Sequence, residues 1–592
     1  MRQFGTVFAW SHAGSFVYTL SPSACDCAIR TKAMKKYRVG IILNDLVSSK
    51  YIHDTIRALK SEDNIEIILI LVEITERNSR RSSKIIRELQ RNGALSSTSA
   101  LAFSVLQAIE RRLICFLSNS ARKHFEQTKV EPDESIKCIK VQSIVAEDGI
   151  ESCCNDEDLN SLEQLDLDLI VNGKGDTVYS DKILRTTRLG VISLQLGDNR
   201  WNGGLPPAFW EVYKRSPSTG FTVQILNENQ LGGTVLYRGE VITKRTYTEN
   251  LLHLCRESNP FLALIVKKYL NHDKSIRIEE NRPVAGIIHK FPNAWQTANY
   301  TLMSIVLYTN LFIERKVLRK TERWGVAYSR RFWTDVALSE GKRIPNPKYR
   351  FLADPFVIKK DEKHHIFVED YDCRRGLGAI SCVVVNPDDS YEIIHNVLVE
   401  PFHLSFPFVF EEAGEMFMLP ETHEGKGIRL YRCVEFPNKW ELDTELLTGV
   451  SAADTMLIKR HGKWFMLTNI NQFVFQDHMS QLHVLWSDEL RSSDWKPLSS
   501  LPIVNDSRIG RNAGLLSGKN GDWFRVRQRQ AFNQYGAGFS IAKITQLGLD
   551  GYSEELFAEI EPVFFDDLKG THHMHGVDDF TVYDFATAER YS

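Results

Sequence analysis

The chain has 592 residues, of which 43% are hydrophobic and 25% charged, a composition typical of folded domains with apolar cores. Its formal net charge of −2 creates no overall field for nucleic acid or anionic lipid, which argues against a nucleic-acid binder and leaves only local patches open. The ten cysteines have no spacing typical of a metal site, so we expect thiols in a reducing compartment and no metal ion.

Residues 1–33 precede the first predicted strand and are interpreted as an extension outside the fold. Trp10, Ser11 and His12 interrupt any apolar core of a signal peptide. No segment reaches the roughly 18 consecutive apolar residues of a membrane span. The nearest, Tyr300–Ile313, contains Thr, Ser and Asn and is predicted to be a buried connecting helix. A cytoplasmic protein is expected.

Residues 34–270 alternate between short apolar runs and amphipathic segments. This alternation predicts an α/β domain with a mostly parallel sheet, whose ligands bind beyond the carboxyl ends of the strands. Residues from about 76 to 160 resist assignment, and residues 271–323 are interpreted as a helical connector. The predicted strands are Arg38–Leu43, Ile65–Val72, Leu167–Val171 and Gly190–Leu194.

Residues 324–592 contain five copies of a weak repeat, each with an opening motif, an apolar strand, a polar turn and a second strand. The spacing of roughly 50–60 residues is the length of one four-stranded blade, which predicts a five-bladed β-propeller. A series of separate β-sandwiches is the alternative, although the shared opening motifs favour the propeller. The copies occupy residues 351–370, 404–421, 451–469, 511–528 and 572–585.

The starts of the repeats carry polar residues that should converge on one axial funnel. A channel that needed only filling would carry Val, Ala or Gly, and buried charges cost several kcal/mol each unless they pair or bind a ligand. We therefore predict a ligand site in the funnel. Its predicted residues are Asp354, Ser405, Glu421, Asp454, Arg511, Asn512, Gln528, Gln530, His572 and His573.

The motifs Ala353-Asp354-Pro355-Phe356, Ser405-Phe-Pro-Phe408 and Leu419-Pro-Glu421 resemble family 43 glycoside hydrolases. They resemble more closely the propeller of plant glucosamine inositolphosphorylceramide transferases, together with Arg511…Ala513-Gly514, Gln528…Tyr535-Gly536 and Gly570-Thr571-His572. The hydrolase resemblance implies Asp354 as a catalytic base, with Glu421 and Asp454 as candidates for acid and modulator. Their spacing departs from the hydrolase pattern, and the plant relatives imply glycan binding. Each acid could instead cap backbone N–H groups at the start of a blade.

Residues Leu165–Leu236 resemble the N-terminal domain of formyltransferases that act on methionyl-tRNA or sugar amines. The loop Gly203-Gly204-Leu-Pro-Pro207 and the run Ser218-Thr-Gly-Phe-Thr222 carry this resemblance. The family's catalytic Asn, His and Asp positions are occupied by Ser193, Gln195 and Leu231. Because Gln cannot serve as a general base near neutral pH, folate is not expected as a cofactor.

The polar run after the fourth predicted strand could serve a different ligand. Asp198 could replace the missing acid or base, Asn199 adjoins it, and Arg200 could hold a phosphate or carboxylate beside Gly203 and Gly204. An internal contact between Asp198 and Arg200 is the alternative.

Together these features favour a carbohydrate-active protein of surface-glycan or nucleotide-sugar metabolism, with a sugar, glycan or nucleotide-sugar as its partner. In this interpretation the first domain would handle a nucleotide-sugar or sugar amine. The propeller would bind or process a glycan. A family 43-like hydrolase and a non-catalytic glycan-binding protein remain the alternatives.

Overall fold

The computed structural model describes most of the chain from Lys35 onward. The predicted extension at residues 1–33 lies outside the described residues. The described ranges are 35–43, 45–74, 94–125, 127–129, 136–145, 151–153, 156–173, 181–198, 202–227, 233–279, 287–289, 291–471, 473 and 477–590.

The first part of the chain folds around an eight-stranded sheet. Its five central strands run parallel, and in chain order they are arranged 3-2-1-4-5, with antiparallel strands at both edges. The prediction of a largely parallel α/β sheet is therefore confirmed, while the formyltransferase-type fold stays a prediction. In order across the sheet the strands are Gly233–Ile242, Ser218–Leu226, Val191–Gln195, Leu169–Asn172, Tyr37–Leu43, Ile65–Ile74, Lys137–Val145 and Glu151–Cys153.

Helices cover both faces of this sheet. The helix Tyr247–Leu270 buries Leu254, Phe261 and Ile265 against the sheet, and it starts where the side chain of Thr246 accepts a hydrogen bond from the Glu249 N–H. Two short strand pairs, Val47–Ser49 with Gln127–Lys129 and Asn202–Gly204 with Ile287–His289, lie beside it. The helices are Lys50–Lys60, Ala94–Leu117, Asn119–Phe125, Asp156–Glu163, Asp181–Leu184, Phe209–Lys214, Tyr247–Leu270 and Ala294–Phe312, which continues as a π-helical turn, Ile313–Val317.

The second part of the chain is a five-bladed β-propeller, as the repeats predict. Each blade is an antiparallel sheet, and the described blades follow one another in chain order. Blade 1 comprises Arg350–Lys360, Lys363–Asp372, Leu377–Val385 and Tyr391–Leu398; blade 2 comprises Ser405–Glu412, Glu415–Glu421, Gly427–Glu435 and Lys439–Thr448; blade 3 comprises Ser451–Arg460, Lys463–Asn471, Gln481–Ser487 and Lys496–Pro497, with Val504–Asn505; blade 4 comprises Asn512–Ser517, Trp523–Ala531, Gln534–Gly548 and Gly551–Ile560.

Blade 5 closes the ring with strands from both ends of the propeller segment. Its inner strands come from the C-terminal end and its outer strands from the N-terminal end, so that Gly325 lies opposite Phe585. Closure of this kind leaves few open sheet edges. The closing strand begins at Lys320, whereas the sequence placed the boundary at residue 324. The blade comprises Met574–Val577, Phe580–Arg590, Lys320–Ser329 and Lys342–Ile344, with Leu568–Gly570.

The two parts share a packed and hydrogen-bonded junction. Leu501 of the propeller is buried within the core of the α/β domain. Asn505 donates a hydrogen bond of 3.0 Å to the Tyr237 hydroxyl, and Arg508 lies 2.8 Å from Glu240.

The expectation of a buried helix over residues 300–313 is wrong. In the helix Ala294–Phe312 only Thr297 and Tyr300 are buried, and large apolar side chains such as Leu302, Ile305 and Phe312 are exposed. The apolar composition of this segment suggested burial, but the helix lies on the surface of the α/β domain. Among the described helices, none combines the length and the apolar character needed to cross a membrane.

Candidate functional site

The inner strands of the first three blades share a β-bulge near their starts. The pairing register shifts after Ala353, Ser405 and Ala453. The next residue in each blade adopts a left-handed backbone conformation, with φ of 48° at Asp354, 46° at Phe406 and 48° at Asp454. Non-glycine residues rarely adopt this conformation, and it is a form of strain that is common at functional sites.

The second strands of blades 1 and 2 each contribute a glutamate at the level of these bulges. Glu369 lies opposite Ala353, and Glu421 lies opposite Ser405. Both glutamates are buried, as is Ser405. Only Glu421 was predicted from the sequence. Glu369 could have been found by aligning Val368-Glu369 with Pro420-Glu421 within the repeat.

Arg511 connects two of the predicted carboxyl groups. Its Nε lies 2.6 Å from Asp454 Oδ2, and its Nη2 lies 3.3 Å from Asp454 Oδ1 and 3.4 Å from Glu421 Oε2. His423 Nδ1 approaches the other oxygen of Glu421 at 2.7 Å. The Asp454 and Glu421 carboxyl groups also interact with each other, which raises the pKa of Asp454 and lowers that of Glu421 and so favours a proton on Asp454.

His572 connects two further acids, Asp354 of blade 1 and Asp584 of blade 5. Its Nε2 lies 3.5 Å from Asp354 Oδ1, and its Nδ1 contacts Asp584. The backbone N–H groups of His572 and His573 donate to Asp584 Oδ1 at 2.9 and 3.0 Å. Asp584 was not predicted from the sequence, although it lies in the fifth repeat and faces His572 and His573 within one hairpin.

Burial and the neighbouring charges together separate the pKa values of these carboxyl groups. Loss of solvent raises the pKa of Asp354 to about 6, against the opposing charge of His572. Burial and the neighbouring carboxylates also raise the pKa of Glu369, and burial raises that of Asp454. Burial acts in the same direction on Glu421, but the His423 hydrogen bond and the Arg511 charge outweigh it, so the pKa of Glu421 is well below its usual range.

Aromatic side chains border the acids. The Trp324 ring stacks on His572 with centroids 3.8 Å apart, and Tyr535 lies edge-on to the same pair. The Arg511 guanidinium is 5.3 Å from the centre of the Tyr535 ring. Trp324 comes from the strand that closes the ring, which the repeats alone did not place in the funnel.

The remaining predicted funnel residues support this arrangement. Asn512 donates to the carbonyl groups of Asp454 and Leu467 and so braces the bulge of blade 3. The Gln528 N–H donates to the Arg511 carbonyl, and the Gln530 side chain accepts from the Gly536 N–H at 3.0 Å. His573 is buried against the rings of Phe356 and Phe406.

Two groups of described residues bring three potential metal ligands within 4.8 Å of one another. Asp354, His572 and Asp584 form one group in the funnel. His253 and Glu257 of the α/β domain form the other with Asp477 of the propeller. In the funnel an ion pair with His572, whose pKa the neighbouring carboxylates raise despite burial, satisfies the same geometry. Burial lowers the pKa of His253, so that ring meets Glu257 and Asp477 without a charge.

In the α/β domain, the predicted residues fall into two separate polar groups. Ser193 Oγ accepts hydrogen bonds from Asn172 at 3.0 Å and from Gln195 at 3.2 Å, where two parallel strands end. Asp198 pairs with Arg238 at 2.9 Å, a partner that the sequence did not suggest.

The glycine-rich loop has a structural role at its start. Gly203 and Gly204 lie in a short strand that pairs with Ile287–His289. Asn199, Arg200 and Leu231 lie outside the described residues, so their predicted roles stay predictions.

Comparison with known proteins places the similarity in the propeller. Residues 336–582 match a family described as "Glucosamine inositolphosphorylceramide transferase 1, N-terminal". A glucosamine inositolphosphorylceramide transferase 1 of Arabidopsis thaliana is 31% identical over 207 residues, covering 34% of this chain and 27% of the relative. That of Oryza sativa subsp. japonica is 26% identical over 283 residues, covering 47% and 37%. The chain therefore spans between about a quarter and somewhat over a third of the length of these relatives.

Two solved structures are each similar to less than half of this chain. An α-L-arabinofuranosidase of Podospora anserina has 10% identity and a TM-score of 0.31, covering 40% of this chain and 90% of that structure. A thermostable family 43 glycoside hydrolase has 16% identity and a TM-score of 0.31, covering 42% and 92%. The five-bladed architecture itself is established by the strand pairing described above.

Proposed function

We propose that the propeller funnel binds a sugar that carries an ammonium group, as part of a glycan. The observation that carries this proposal is the excess of acids over permanent cations in the buried cluster. Arg511 is the one guanidinium that pairs with these acids among the described residues. The buried acids are Asp354, Glu369, Glu421, Asp454 and Asp584.

An amino sugar matches this chemistry in two ways. Its ammonium group would neutralise carboxylates that otherwise keep protons because they are buried and close together. Its hydroxyl groups would donate to the remaining carboxyl oxygens, while the rings of Trp324 and Tyr535 offer apolar faces. The matching relatives are transferases named for glucosamine and for inositolphosphorylceramide, and a glucosamine-containing inositol phosphate headgroup is therefore the first ligand to test.

Isothermal titration calorimetry can test this proposal. We expect the chain to bind a glucosamine-containing glycan at least tenfold more tightly than its N-acetylated form, since acetylation removes the charge. Binding near pH 6 should release protons, because the incoming ammonium lowers the raised pKa of Asp354. Equal affinity for the two glycans, or uptake of protons, would contradict the proposal.

Acid–base chemistry on a glycosidic bond is the second candidate, favoured by the separation of pKa values in the funnel. Asp354, with its pKa raised to about 6, would be a base near neutral pH. The proton favoured on Asp454 beside Glu421 would supply the acid. If Asp354→Asn abolishes turnover of a glycan but leaves binding intact, this candidate stands; a wild-type chain without any turnover removes it.

For the α/β domain, we propose a nucleotide-sugar or sugar-amine ligand at the carboxyl ends of the parallel strands. The polar group Asn172, Ser193 and Gln195 at that edge supports this placement. A thermal-shift screen with nucleotide-sugars and folates would test it, since a ligand of the native state raises the melting temperature. Stabilisation by a formyl-folate, accompanied by formyl transfer, would overturn it.

A further inference from the structure

The helices Ala94–Leu117 and Ala294–Phe312 lie against each other and have their polar groups on the inside. Glu110 accepts a hydrogen bond of 2.6 Å from the Tyr300 hydroxyl and one of 2.9 Å from Thr248 Oγ1. Tyr300 in turn accepts from the Tyr247 N–H at 2.8 Å. These bonds attach both helices to the long helix Tyr247–Leu270 and so fix which face of each helix is turned outward.

The outward faces of both helices are apolar. On the first, Leu101, Val105, Ile109 and Leu113 are exposed at every fourth position, followed by Phe116, which is 86% exposed. On the second, Leu302, Ile305 and Phe312 are exposed, and no charged residue occurs between Ala294 and Phe312. Single exposed apolar residues are ordinary, but contiguous apolar patches of this extent mark an interaction surface.

The two helices run in the same direction, which brings their carboxyl ends to one side. Phe103 packs near Phe291, and seven residues later Glu110 bonds to Tyr300. Exposed basic residues lie at the carboxyl end of each helix. In the first helix Arg111 and Arg112 lie just before Leu113, and Arg122 and Lys123 follow in the helix Asn119–Phe125.

After the second helix, the exposed basic residues are Arg315, Lys316, Arg319 and Lys320. Glu314 is the one exposed acid among residues 111–125 and 313–320, so the basic ends carry little compensating charge. A wide apolar stripe bordered by arginine and lysine is the composition of helices that lie in the interface of an anionic membrane.

We propose that these two helices form a docking surface for an anionic lipid bilayer. The proposal goes beyond the proposed sugar binding and does not depend on it. Docking would bury the apolar stripe at the boundary between headgroups and acyl chains, while the basic ends contact anionic headgroups. The net charge of −2 for the whole chain does not oppose this, because the attraction acts over about a Debye length.

The position of this surface relates it to the funnel. The strand that begins at Lys320 carries Trp324, which stacks on His572. Phe532, next to Tyr535 in the blade 4 hairpin, packs into the aromatic cluster of Phe209 and Tyr300 beneath the helices. A membrane on the helices would therefore lie beside the funnel, where a sugar on a lipid headgroup could enter.

Co-sedimentation of the full chain with vesicles tests the proposal without any glycan. We expect binding to vesicles of phosphatidylcholine with phosphatidylserine, weaker binding to phosphatidylcholine alone, and a loss of binding as salt is added. The variant Ile109→Gln/Ile305→Gln/Phe312→Gln should bind at least about tenfold more weakly. The matched control Leu442→Gln/Leu549→Gln/Val563→Gln replaces exposed apolar residues of the propeller and should bind as the wild type does.

A second variant, Arg315→Gln/Lys316→Gln, leaves the apolar stripe intact and should lose roughly tenfold or more in affinity for the anionic vesicles only. Unchanged binding of both variants would overturn the proposal. So would a wild-type chain that ignores vesicles but is a dimer by light scattering, converted to monomers by the Ile109→Gln/Ile305→Gln/Phe312→Gln change. That outcome would assign the surface to a second copy of the chain.

Discussion

Asp354 illustrates how one residue combines strain and charge in this funnel. It adopts φ of 48°, lies 3.5 Å from His572, and has a pKa raised to about 6 by burial. When folding raises the pKa of a carboxyl group, the folded protein is more stable with that group protonated than with it ionised, so the group favours folding at low pH. That contribution is complete below the unfolded pKa of about 4 and is lost as the pH rises through about 6.

We therefore expect Asp354→Asn to increase the free energy of unfolding above pH 7 by roughly 1–3 kcal/mol, with no difference below about pH 4. Asn tolerates the left-handed conformation, so the backbone need not change. Thermal melts over this pH range would measure the effect. Asp389→Asn is the matched control with the opposite sign, because Arg330 and Lys342 lower the pKa of Asp389. A variant that is destabilised at neutral pH would refute this explanation of Asp354.

Individual partners were the hardest feature to predict from the sequence. Asp354, Glu421, Asp454 and Arg511 were predicted as a converging set because they begin or end equivalent repeats, and the blades bring them together. Asp198 pairs with Arg238, forty positions away on the edge strand Gly233–Ile242. The sequence suggested Arg200 as the partner of Asp198 because Arg200 is two positions away. Spacing along the chain carries no information on a contact between distant strands.

At the scale of one sheet, blade 4 depends on a buried ion pair. Arg525 is fully buried, and its guanidinium donates to Glu554 at 2.7 and 2.8 Å and to the Ile509 carbonyl at 2.7 Å. The pair links the second strand of the blade to its outer strand. Removing one charge of such a pair leaves the other buried without compensation.

We expect Glu554→Gln to lower the free energy of unfolding by about 3–5 kcal/mol. Urea denaturation followed by circular dichroism would measure the loss. Glu555→Gln changes the neighbouring, exposed glutamate and should alter stability by less than about 0.5 kcal/mol. Similar effects of the two substitutions would contradict the role assigned to the ion pair.

Elements were predicted better than their environment. The strands of the propeller follow from alternating apolar runs and polar turns, since the pattern of a hairpin is local. The helix Ala294–Phe312 was correctly expected to be helical but wrongly expected to be buried. Apolar composition indicates that a helix needs an apolar neighbour, and it does not reveal whether that neighbour is this chain or another surface.

Across the whole molecule, the α/β domain and the propeller share a core. Leu501 of the propeller is 3% exposed and packs among side chains of the α/β domain. Hydrogen bonds from Asn505 to Tyr237 and from Arg508 to Glu240 border it. Contacts of this kind couple the unfolding of two domains.

Leu501→Ala should lower the free energy of unfolding by about 2–5 kcal/mol and weaken this coupling. Differential scanning calorimetry of the variant should resolve two transitions where the wild type has one. Leu549→Ala, at an exposed position, is the control and should leave the profile unchanged. A single transition of unchanged midpoint in Leu501→Ala would show that the domains do not rely on this contact.

The most direct test of the central claim is a crystal structure of the chain with a glucosamine-containing glycan. We predict the amino sugar in the propeller funnel, with its ammonium group within hydrogen-bonding distance of the buried carboxyl groups and its ring beside Trp324 and Tyr535. A glycan bound elsewhere, or a funnel filled by the chain's own side chains when the glycan is saturating, would contradict it.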